Sequence, residues 1–230
     1  MKTIGLIGGM TWRSTVEYYR VINETVDKRL GSSHSARCLI YSVEFGEVNK
    51  LQHQGRWLEL DDIMIDAAVR LEKAGAELIL ICANTMHKSA DRVQAAVKIP
   101  LLHIADETAA TIKSENLNKV GLLGTKFTME EDFYKGRLKD KFDIEVLIPD
   151  KQDRQIVHDV IYDELGAGVI NDDSRQLYIK IIKLLTERGA EGIVLGCTEI
   201  PLLISRNNCP VPVFDTTLIH AEAAVNFALA

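Results

Sequence analysis

An internal repeat constrains the fold of this chain more than any other feature of its sequence. Residues 73–87 read KAGAELILICANTMH and residues 187–201 read ERGAEGIVLGCTEIP, so the segments align at an offset of 114 (83 to 197). Each segment combines a helix end with a glycine stop, a short apolar run and a polar cluster. Ligand sites in open parallel sheets lie beyond the carboxyl ends of the strands. Both copies therefore place polar side chains where such a site is expected.

A second pair of segments supports the duplication. Residues 2–10 read KTIGLIGGM and residues 118–125 read NKVGLLGT, which align at an offset of 116 (4 to 120). A tyrosine follows each segment at this same offset, Tyr18 in one copy and Tyr134 in the other. The two offsets differ by two residues, a difference that one short loop absorbs. The chain is therefore expected to consist of two similar halves.

The alternation of short apolar runs with longer amphipathic segments is typical of parallel α/β units. We expect two pseudo-twofold-related, Rossmann-like lobes, each with a parallel sheet, and an active site in the cleft between them. The first lobe is expected to comprise residues 1–100 plus 208–230, and the second residues 101–207. The chain would then cross between the lobes near residues 100 and 207.

Strands and helices are expected where apolar runs lie between turn residues. The expected strands are 3–8, 38–43, 78–82, 101–104, 119–123, 144–148, 193–196 and 211–214. The expected helices are 14–30, 58–74, 88–97, 106–115, 130–139, 153–165, 174–188 and 218–229. Residues 14–17 (STVE) and 128–131 (TMEE) have the capping-box pattern that begins a helix. Residues 52–56 are expected to form a polar connection.

Composition argues against several classes of function. The 230 residues carry a formal net charge of −6 and their lysines and arginines are dispersed, so no basic stripe is available for nucleic acid. No apolar run approaches the roughly 20 residues of a membrane span, and the apolar start reads as a strand rather than a signal peptide. Glycines 5, 8 and 9 do not form a dinucleotide fingerprint. The four cysteines form no C-x-x-C pair, so a zinc site is not expected.

Cys197 is the strongest candidate for chemistry, because it ends a buried run and polar residues follow it at once. A thiol facing the backbone N–H groups of a following helix has a lowered pKa, and such groups also bind carboxylates. A buried structural cysteine is the alternative interpretation. Cys82 aligns with Gly196, one residue out of register, so its side chain is expected on the opposite face of its strand. The remaining cysteines are interpreted as structural: Cys38, Cys82 and Cys209.

Several motifs resemble the aspartate/glutamate racemase superfamily, and within it the broad-specificity or L-Asp/Glu-acting amino-acid racemases. They are GLIGGM at 5–10, NTMH at 84–87, LHIAD at 102–106, GCTEI at 196–200, FDTT at 214–217 and IHAE at 219–222. The resemblance covers the whole chain and implies a cofactor-independent enzyme of two pseudo-symmetric lobes. In this family two thiols face each other across the cleft, and they remove and return the α-proton of an amino acid on opposite faces.

The chain departs from that family pattern at one position. The residue before Asn84 carries the first acid/base in the family, as Cys or in some members Thr, but here it is Ala83. The repeat alone gives the same result, since Ala83 aligns with Cys197, and a methyl group cannot carry a proton. Three explanations stay open: a substitution that traps bound substrate, a weak one-base racemase completed by water, Thr85 or His87, or one-sided chemistry. The last resembles arylmalonate decarboxylases, in which a single cysteine protonates a planar carbanion.

The same resemblance implies a set of substrate-binding residues. They are Met10, Gln52, Asn84, Thr85, Met86, Thr125, Thr128, Thr198 and Glu199. The α-carboxylate and α-ammonium are assigned to four of these: Asn84, Thr85, Thr198 and Glu199. Two of the residues have structural alternatives, since Glu199 suits the dipole of a helix N-terminus and Thr128 suits a helix cap. Met10 and Thr125 are expected to begin equivalent loops.

The side chain of the substrate is left open. Gln52 and Val169 stand where aspartate-selective members of the family have basic residues, and Arg13 or Arg56 are candidates to compensate. His87 either holds its loop or takes part in proton transfer. The resemblance further implies an amino-acid substrate, no cofactor, no metal and a homodimer, while the cysteine usage predicts a cytoplasmic protein. An amino-acid or dicarboxylate sensor with a degenerate active site is the alternative class.

Overall fold

The computed structural model describes all 230 residues, which divide into two compact units. The first unit comprises Met1–Ile104 and His220–Ala230, and the second comprises Ala105–Ile219. The chain thus passes from one unit to the other after residue 104 and again after residue 219. The expected crossings near residues 100 and 207 differ from these, most of all at the second point.

Seven strands and eleven α-helices make up the two units. The strands are β1 (Ile4–Gly8), β2 (Cys38–Ser42), β3 (Leu78–Ile81), β4 (Lys119–Gly124), β5 (Glu145–Leu147), β6 (Gly192–Gly196) and β7 (Val213–Asp215). The first helices are α1 (Trp12–Leu30), α2 (Phe45–His53), α3 (Trp57–Lys73), α4 (Ala90–Ala96) and α5 (Ile104–Ser114). The later helices are α6 (Lys126–Glu130), α7 (Asp132–Phe142), α8 (Lys151–Asp159), α9 (Asp172–Glu187), α10 (Ile200–Leu203) and α11 (Thr216–Leu229).

Each unit contains one parallel sheet, with strand order β2-β1-β3 in the first and β5-β4-β6-β7 in the second. The central pairs have the same register in both sheets. Ile4 pairs with Leu78, and Val120 pairs with Gly192, so both sequence offsets are preserved in the ladders. The expected α/β class with two parallel sheets is confirmed.

Strands β1 and β3 of the first unit are buried throughout, which is usual for parallel strands covered on both faces, whereas the edge strand β2 is partly exposed. Alternate residues of β1 and β3 point to opposite sides, as strand geometry requires. One side packs mainly against α3, and this cluster includes Ile7, Leu60, Met64, Ile79 and Ala83. The other side packs against α1 and α11, and this cluster includes Ile4, Tyr18, Cys82, Ala221 and Val225.

The helix ends that precede β3 and β6 are built in the same way. Gly75 and Gly189 have φ angles of 98° and 95°, a conformation that glycine adopts without steric cost. The next residue in each half, Ala76 or Ala190, donates its N–H across the helix end over 3.0 Å. These bonds turn the chain directly from helix into strand.

The two-residue difference between the offsets lies immediately after β1. Thr11 caps α1 by accepting from the Ser14 N–H, and Thr125 caps α6 by accepting from the Thr128 N–H. These caps are 114 residues apart, whereas β1 and β4 are 116 apart, so Gly9 and Met10 are the extra residues. The predicted capping boxes, at Ser14 and Thr128, are therefore three residues too late, because Thr11 and Thr125 already cap the helices. Thr11, and not Met10, is the structural counterpart of Thr125.

The last strand belongs to the second unit, which corrects the predicted assignment of residues 208–219 to the first. Ile193 donates its N–H to the Pro212 carbonyl over 2.8 Å, and the extended segment then pairs with β6 as β7. In the first half, Ile79 makes the same bond to Pro100 at 2.9 Å. Only a single bridge at Leu101 follows there, because α5 has already begun at residue 104. The predicted strand 101–104 is thus reduced to one residue.

Two further segments differ from the sequence-based expectation. Residues 45–53 form α2, where the sequence predicted a polar connection from residue 52. Glu44 caps this helix, since its carboxylate accepts from the N–H groups of Gly46 and Glu47. The predicted helix 153–165 starts at Lys151 and widens into a π-helical turn over Val160–Glu164.

Candidate active site

Cys197 lies at the carboxyl end of β6, directly after a strand whose five residues are all buried. Its side chain is also buried, and its thiol donates to Glu199 Oε2 with an Sγ–Oε2 distance of 3.0 Å. The Thr198 hydroxyl donates to the same carboxylate oxygen over 2.5 Å. The thiol and the hydroxyl therefore share one buried carboxylate oxygen.

The pKa of Cys197 is raised well above that of an ordinary thiol. Burial is the largest cause, and the negative charge of Glu199 is the second. The backbone N–H groups of Glu199 and Ile200 act in the opposite direction, as the sequence predicted, but they are outweighed. The expectation of a lowered pKa is wrong, because the sequence showed the helix start but not the carboxylate beside the sulfur.

Two tyrosines interact electrostatically with Cys197, and sequence reasoning missed both. Burial, followed by the charges of Cys197 and Glu199, raises the pKa of Tyr162. Burial and then Cys197 also raise the pKa of Tyr178, whose hydroxyl donates to the Val157 carbonyl over 2.9 Å. That carbonyl precedes the π-helical turn, where the regular ladder is rearranged. No sequence signal linked these tyrosines, on distant elements, to the end of β6.

The loop after β4 lies beside the end of β6. Gly124 pairs with Gly196, and a Cβ on Gly124 would meet the Gly196 carbonyl oxygen at 2.8 Å, so both strand ends need glycine here. Thr125 and Thr128 follow, both buried, with their hydroxyl oxygens 3.2 Å apart. The Lys126 N–H donates to His158 Nδ1, which ties the start of α6 to α8. The structure thus gathers these predicted threonines and Cys197 along one edge of one sheet.

The end of β3 carries the corresponding positions of the first unit. Ala83 is buried in the cluster that packs against α3, whereas Cys82 is fully buried in the cluster on the other side of the sheet. This confirms the prediction that Cys82 is a core residue pointing away from position 83. The polar residues Asn84 and Thr85 that follow are buried as well.

His87 holds its loop with both ring nitrogens. Nδ1 lies 2.9 Å from the Ala83 carbonyl oxygen, and Nε2 accepts from the Ile104 N–H over 3.2 Å. This pair of partners requires a neutral ring with its proton on Nδ1. The sequence allows His87 either to hold its loop or to take part in proton transfer. Because the backbone engages both ring nitrogens, the geometry favours the first role, and the ring acts as a clamp on the loop.

The other predicted residues of the first unit have local partners. The Gln52 amide contacts the Met86 sulfur at 3.1 Å, and both residues are buried. Thr11 and Ser14 were missed, although aligning residues 11–14 with 125–128 at an offset of 114 would have found them. Of the residues considered as compensating cations, Arg56 forms an exposed ion pair with Glu59.

Two kinds of feature are absent from the structure. No group of three or more His, Cys, Asp or Glu residues is arranged to hold a metal ion. No helix is long and apolar enough to cross a membrane.

Residues 7–224 match the family model described as Asp/Glu/hydantoin racemase. The chain belongs to this family. Among curated proteins it is similar to the broad specificity amino-acid racemase RacX of Bacillus subtilis, with 26% identity over 99% of this chain and 98% of the relative. Membership of the racemase family supports an amino-acid racemase, in agreement with the resemblance seen in the sequence.

Solved structures of racemase-family proteins share the fold over the full length. A candidate Asp/Glu racemase from Yersinia pestis is 52% identical, with a TM-score of 0.94 and complete coverage of both chains. An aspartate racemase homologue from Pyrococcus horikoshii is 37% identical, with a TM-score of 0.87 and complete coverage of both. A glutamate racemase from Francisella tularensis, at 17% identity and a TM-score of 0.70 over 99% of this chain and 81% of its own, shows the fold alone.

Proposed function

We propose that this chain is an amino-acid racemase that needs no cofactor and that Cys197 exchanges the α-proton of the bound amino acid. The observation that carries the proposal is the Cys197 thiol at the carboxyl end of β6, bonded to a buried carboxylate. Carboxyl ends of parallel strands are where such folds bind ligands. Thr125, Thr128 and Thr198 lie along the same edge and supply hydroxyl groups for the polar part of an amino acid.

The proposed chemistry is a proton transfer between the sulfur and the α-carbon. When the thiolate takes the α-proton, the C–H bond breaks, an S–H bond forms and the electron pair stays on the α-carbon. The reverse step returns the proton to the same face. Inversion needs a second group on the opposite face, which the repeat assigns to position 83, and Ala83 offers no proton there. The chain as written therefore exchanges the α-proton faster than it racemises.

The test is α-proton exchange in D₂O with both enantiomers of aspartate, glutamate and several neutral and basic amino acids. We expect α-deuterium incorporation, measured by mass spectrometry, to exceed the loss of optical purity, measured by chiral chromatography. Cys197→Ser is expected to lower exchange by about 100-fold or more, because a general acid/base is lost. Cys209→Ser, at a half-buried thiol elsewhere, is the matched control and should retain exchange. Unchanged exchange in Cys197→Ser would refute the proposal.

A one-sided decarboxylase is the second candidate, and the protonated state of the thiol favours it. Loss of CO₂ from a 2-substituted malonate leaves a carbanion that needs only a proton donor, and a thiol with a raised pKa is such a donor. Release of CO₂ from an arylmalonate, abolished by Cys197→Ser, would support this function. Tight amino-acid binding with neither exchange nor CO₂ release would instead indicate a sensor.

The finer parts of the proposal follow from the resemblance and the sequence. Asn84, Thr85, Thr198 and Glu199 are proposed to bind the α-carboxylate and α-ammonium groups, and Met10, Gln52 and Met86 to bind the remainder of the substrate. The protein is proposed to act in the cytoplasm as a homodimer. Sedimentation equilibrium tests the dimer, and the amino-acid series above tests the side-chain preference.

A further inference from the structure

The ends of β3 and β6 differ in the residue that lies two places after the acid/base position, which is position 83 or 197. In the second unit this residue is Glu199, whose Oε2 lies 3.0 Å from the Cys197 sulfur. In the first unit the same place is occupied by Thr85, which has no ionisable group in the usual pH range. Only one half of the repeat therefore has a carboxylate two residues after its acid/base position.

The contact between Cys197 and Glu199 has a definite donor and a definite acceptor. An ionised carboxylate accepts hydrogen bonds only, so the proton lies on the sulfur. Ionising the thiol as well would place two negative charges about 3 Å apart in a buried region, which strongly disfavours the thiolate. Both side chains are more than nine-tenths buried, so water does little to screen this repulsion.

Thr198 moderates the same interaction. Its hydroxyl donates to Oε2 over 2.5 Å and so withdraws negative charge from the oxygen that faces the sulfur. The backbone N–H groups of Glu199 and Ile200 favour the thiolate once the proton has left. The sulfur is thus held as a thiol at rest, while groups that stabilise the thiolate are already in place.

We propose that Glu199 is a positioning residue that keeps Cys197 protonated between turnovers; it thereby favours proton donation by the thiol and limits the thiolate available to remove an α-proton. In a donation step the S–H bond breaks, the proton joins the carbanionic α-carbon and the electron pair stays on sulfur. A group at position 83 would then be the base, because the residue two places after it is Thr85 and not a carboxylate. For its place in catalysis this inference rests on the proposed function, but the protonation of Cys197 is testable without any substrate.

The resemblance gave Glu199 a different role, as one of four residues that bind the α-carboxylate and α-ammonium groups. The two roles predict different behaviour of Glu199→Gln. Loss of an ammonium contact raises KM and leaves the pH profile unchanged. Loss of the charge beside the sulfur moves the pH at which exchange rises, where the Cys197 thiolate forms, to a lower value and leaves KM much less affected.

The experiment measures alkylation of Cys197 by iodoacetamide as a function of pH, with the modified peptide quantified by mass spectrometry. Since only the thiolate reacts, the midpoint of the rate profile reports the ionisation of Cys197. Glu199→Gln is expected to lower the midpoint by at least about one pH unit, which is about a tenfold faster reaction at a fixed pH below it. Glu191→Gln is the matched control, because its carboxylate bonds the backbone of Asn118 and Lys119 in the same unit.

A second variant keeps the inference testable if Glu199→Gln does not fold. Thr198→Val removes the hydroxyl that shares Oε2, so the full charge faces the sulfur and the midpoint should rise. Opposite shifts in Thr198→Val and Glu199→Gln, with no shift in Glu191→Gln, support the inference. An unchanged midpoint in whichever of the two Cys197-site variants folds would overturn it. Because alkylation needs no substrate, a shifted midpoint in a chain that exchanges no amino acid would refute only the proposed function.

Discussion

β3 and β6 begin with the same set of hydrogen bonds, yet their carboxyl ends present different side chains. Glu77 accepts from the N–H of Thr3, and Glu191 accepts from that of Lys119, at equivalent places in the two halves. Two residues further along each strand, Ile79 donates to the carbonyl of Pro100 and Ile193 to that of Pro212. Beyond these shared bonds, one half continues with Ala-Asn-Thr and the other with Cys-Thr-Glu.

This difference separates the part of the repeat that the fold requires from the part that the chemistry requires. Glycine conformations, helix ends and ladder bonds recur because each half needs them to turn from helix into strand. Ala83 and Cys197 and the residues that follow them lie outside the paired registers of the two ladders, so they are free to diverge. The second half has a thiol with a carboxylate, and the first has a methyl group, with an imidazole clamp at His87 where the second half has Pro201.

The largest expected effect comes from restoring the missing group. Ala83→Cys should raise racemisation by about 100- to 10,000-fold, the usual contribution of a positioned acid/base. The residue two places after this new thiol is Thr85 and not a carboxylate. The thiol should therefore take the α-proton of the substrate as the base, while Cys197 donates a proton. Chiral chromatography measures the rate. Ala83→Val adds volume without a proton and is the control; equal rates in both variants would show that position 83 is not an acid/base position.

A smaller effect, on the pH dependence of stability, is expected from His220, the hydrogen-bond partner of Tyr18. Tyr18 donates to His220 Nδ1 over 2.8 Å, whereas Tyr134 contacts Thr108 at 3.5 Å in the other half. Burial lowers the pKa of His220 to about 4, so protonation opposes folding. Its contribution is fully present above the unfolded value of about 6.5 and is lost as the pH falls towards 4, a change of about 3 kcal/mol.

Urea unfolding at pH 7 and near pH 4 measures this change. His220→Gln keeps a donor and an acceptor but cannot be protonated, so it should remove about 3 kcal/mol of the acid sensitivity. Tyr134→Phe should lower stability by a similar amount at both pH values, because neither Tyr134 nor Thr108 titrates in this range. His34→Gln, at an exposed histidine, is the control. Identical acid sensitivity in His220→Gln and the wild type would exclude this origin.

The smallest effect is expected at the two glycines that end the helices before β3 and β6, and it tests whether both contribute equally to stability. Gly75→Ala and Gly189→Ala place a Cβ at φ angles of 98° and 95°. Nothing lies within 4 Å of the added atom at Gly75, and only the flexible Lys119 side chain approaches it at Gly189. Each substitution should destabilise the protein by about 1 to 2 kcal/mol, which is the cost of a left-handed residue with a side chain. Thermal unfolding that showed a cost in one half alone would contradict the equivalence.

Much of the fold could be predicted because each copy of the repeat contains local sequence patterns typical of strands and helix ends. The parallel sheets, the helix stops at Gly75 and Gly189, and the inward position of Cys82 follow from local patterns and from the two-residue period of strands. The caps at Thr11 and Thr125 were predicted three residues too late, because a capping-box pattern does not show where the preceding strand ends. The helix at residues 45–53 was missed because its cap is a glutamate.

The sequence by itself determined the duplication, the fold class and the pairing of Cys197 with a methyl-bearing position. Only the tertiary structure decided that β7 joins the second unit, that Glu199 contacts the sulfur, and that Tyr162 and Tyr178 lie near Cys197. The physical reason is one of range. Strand periodicity and helix ends follow from the pattern of neighbouring residues. The ionisation of Cys197 depends instead on its burial, which the whole fold sets, and on the contact that the Glu199 side chain makes with the sulfur.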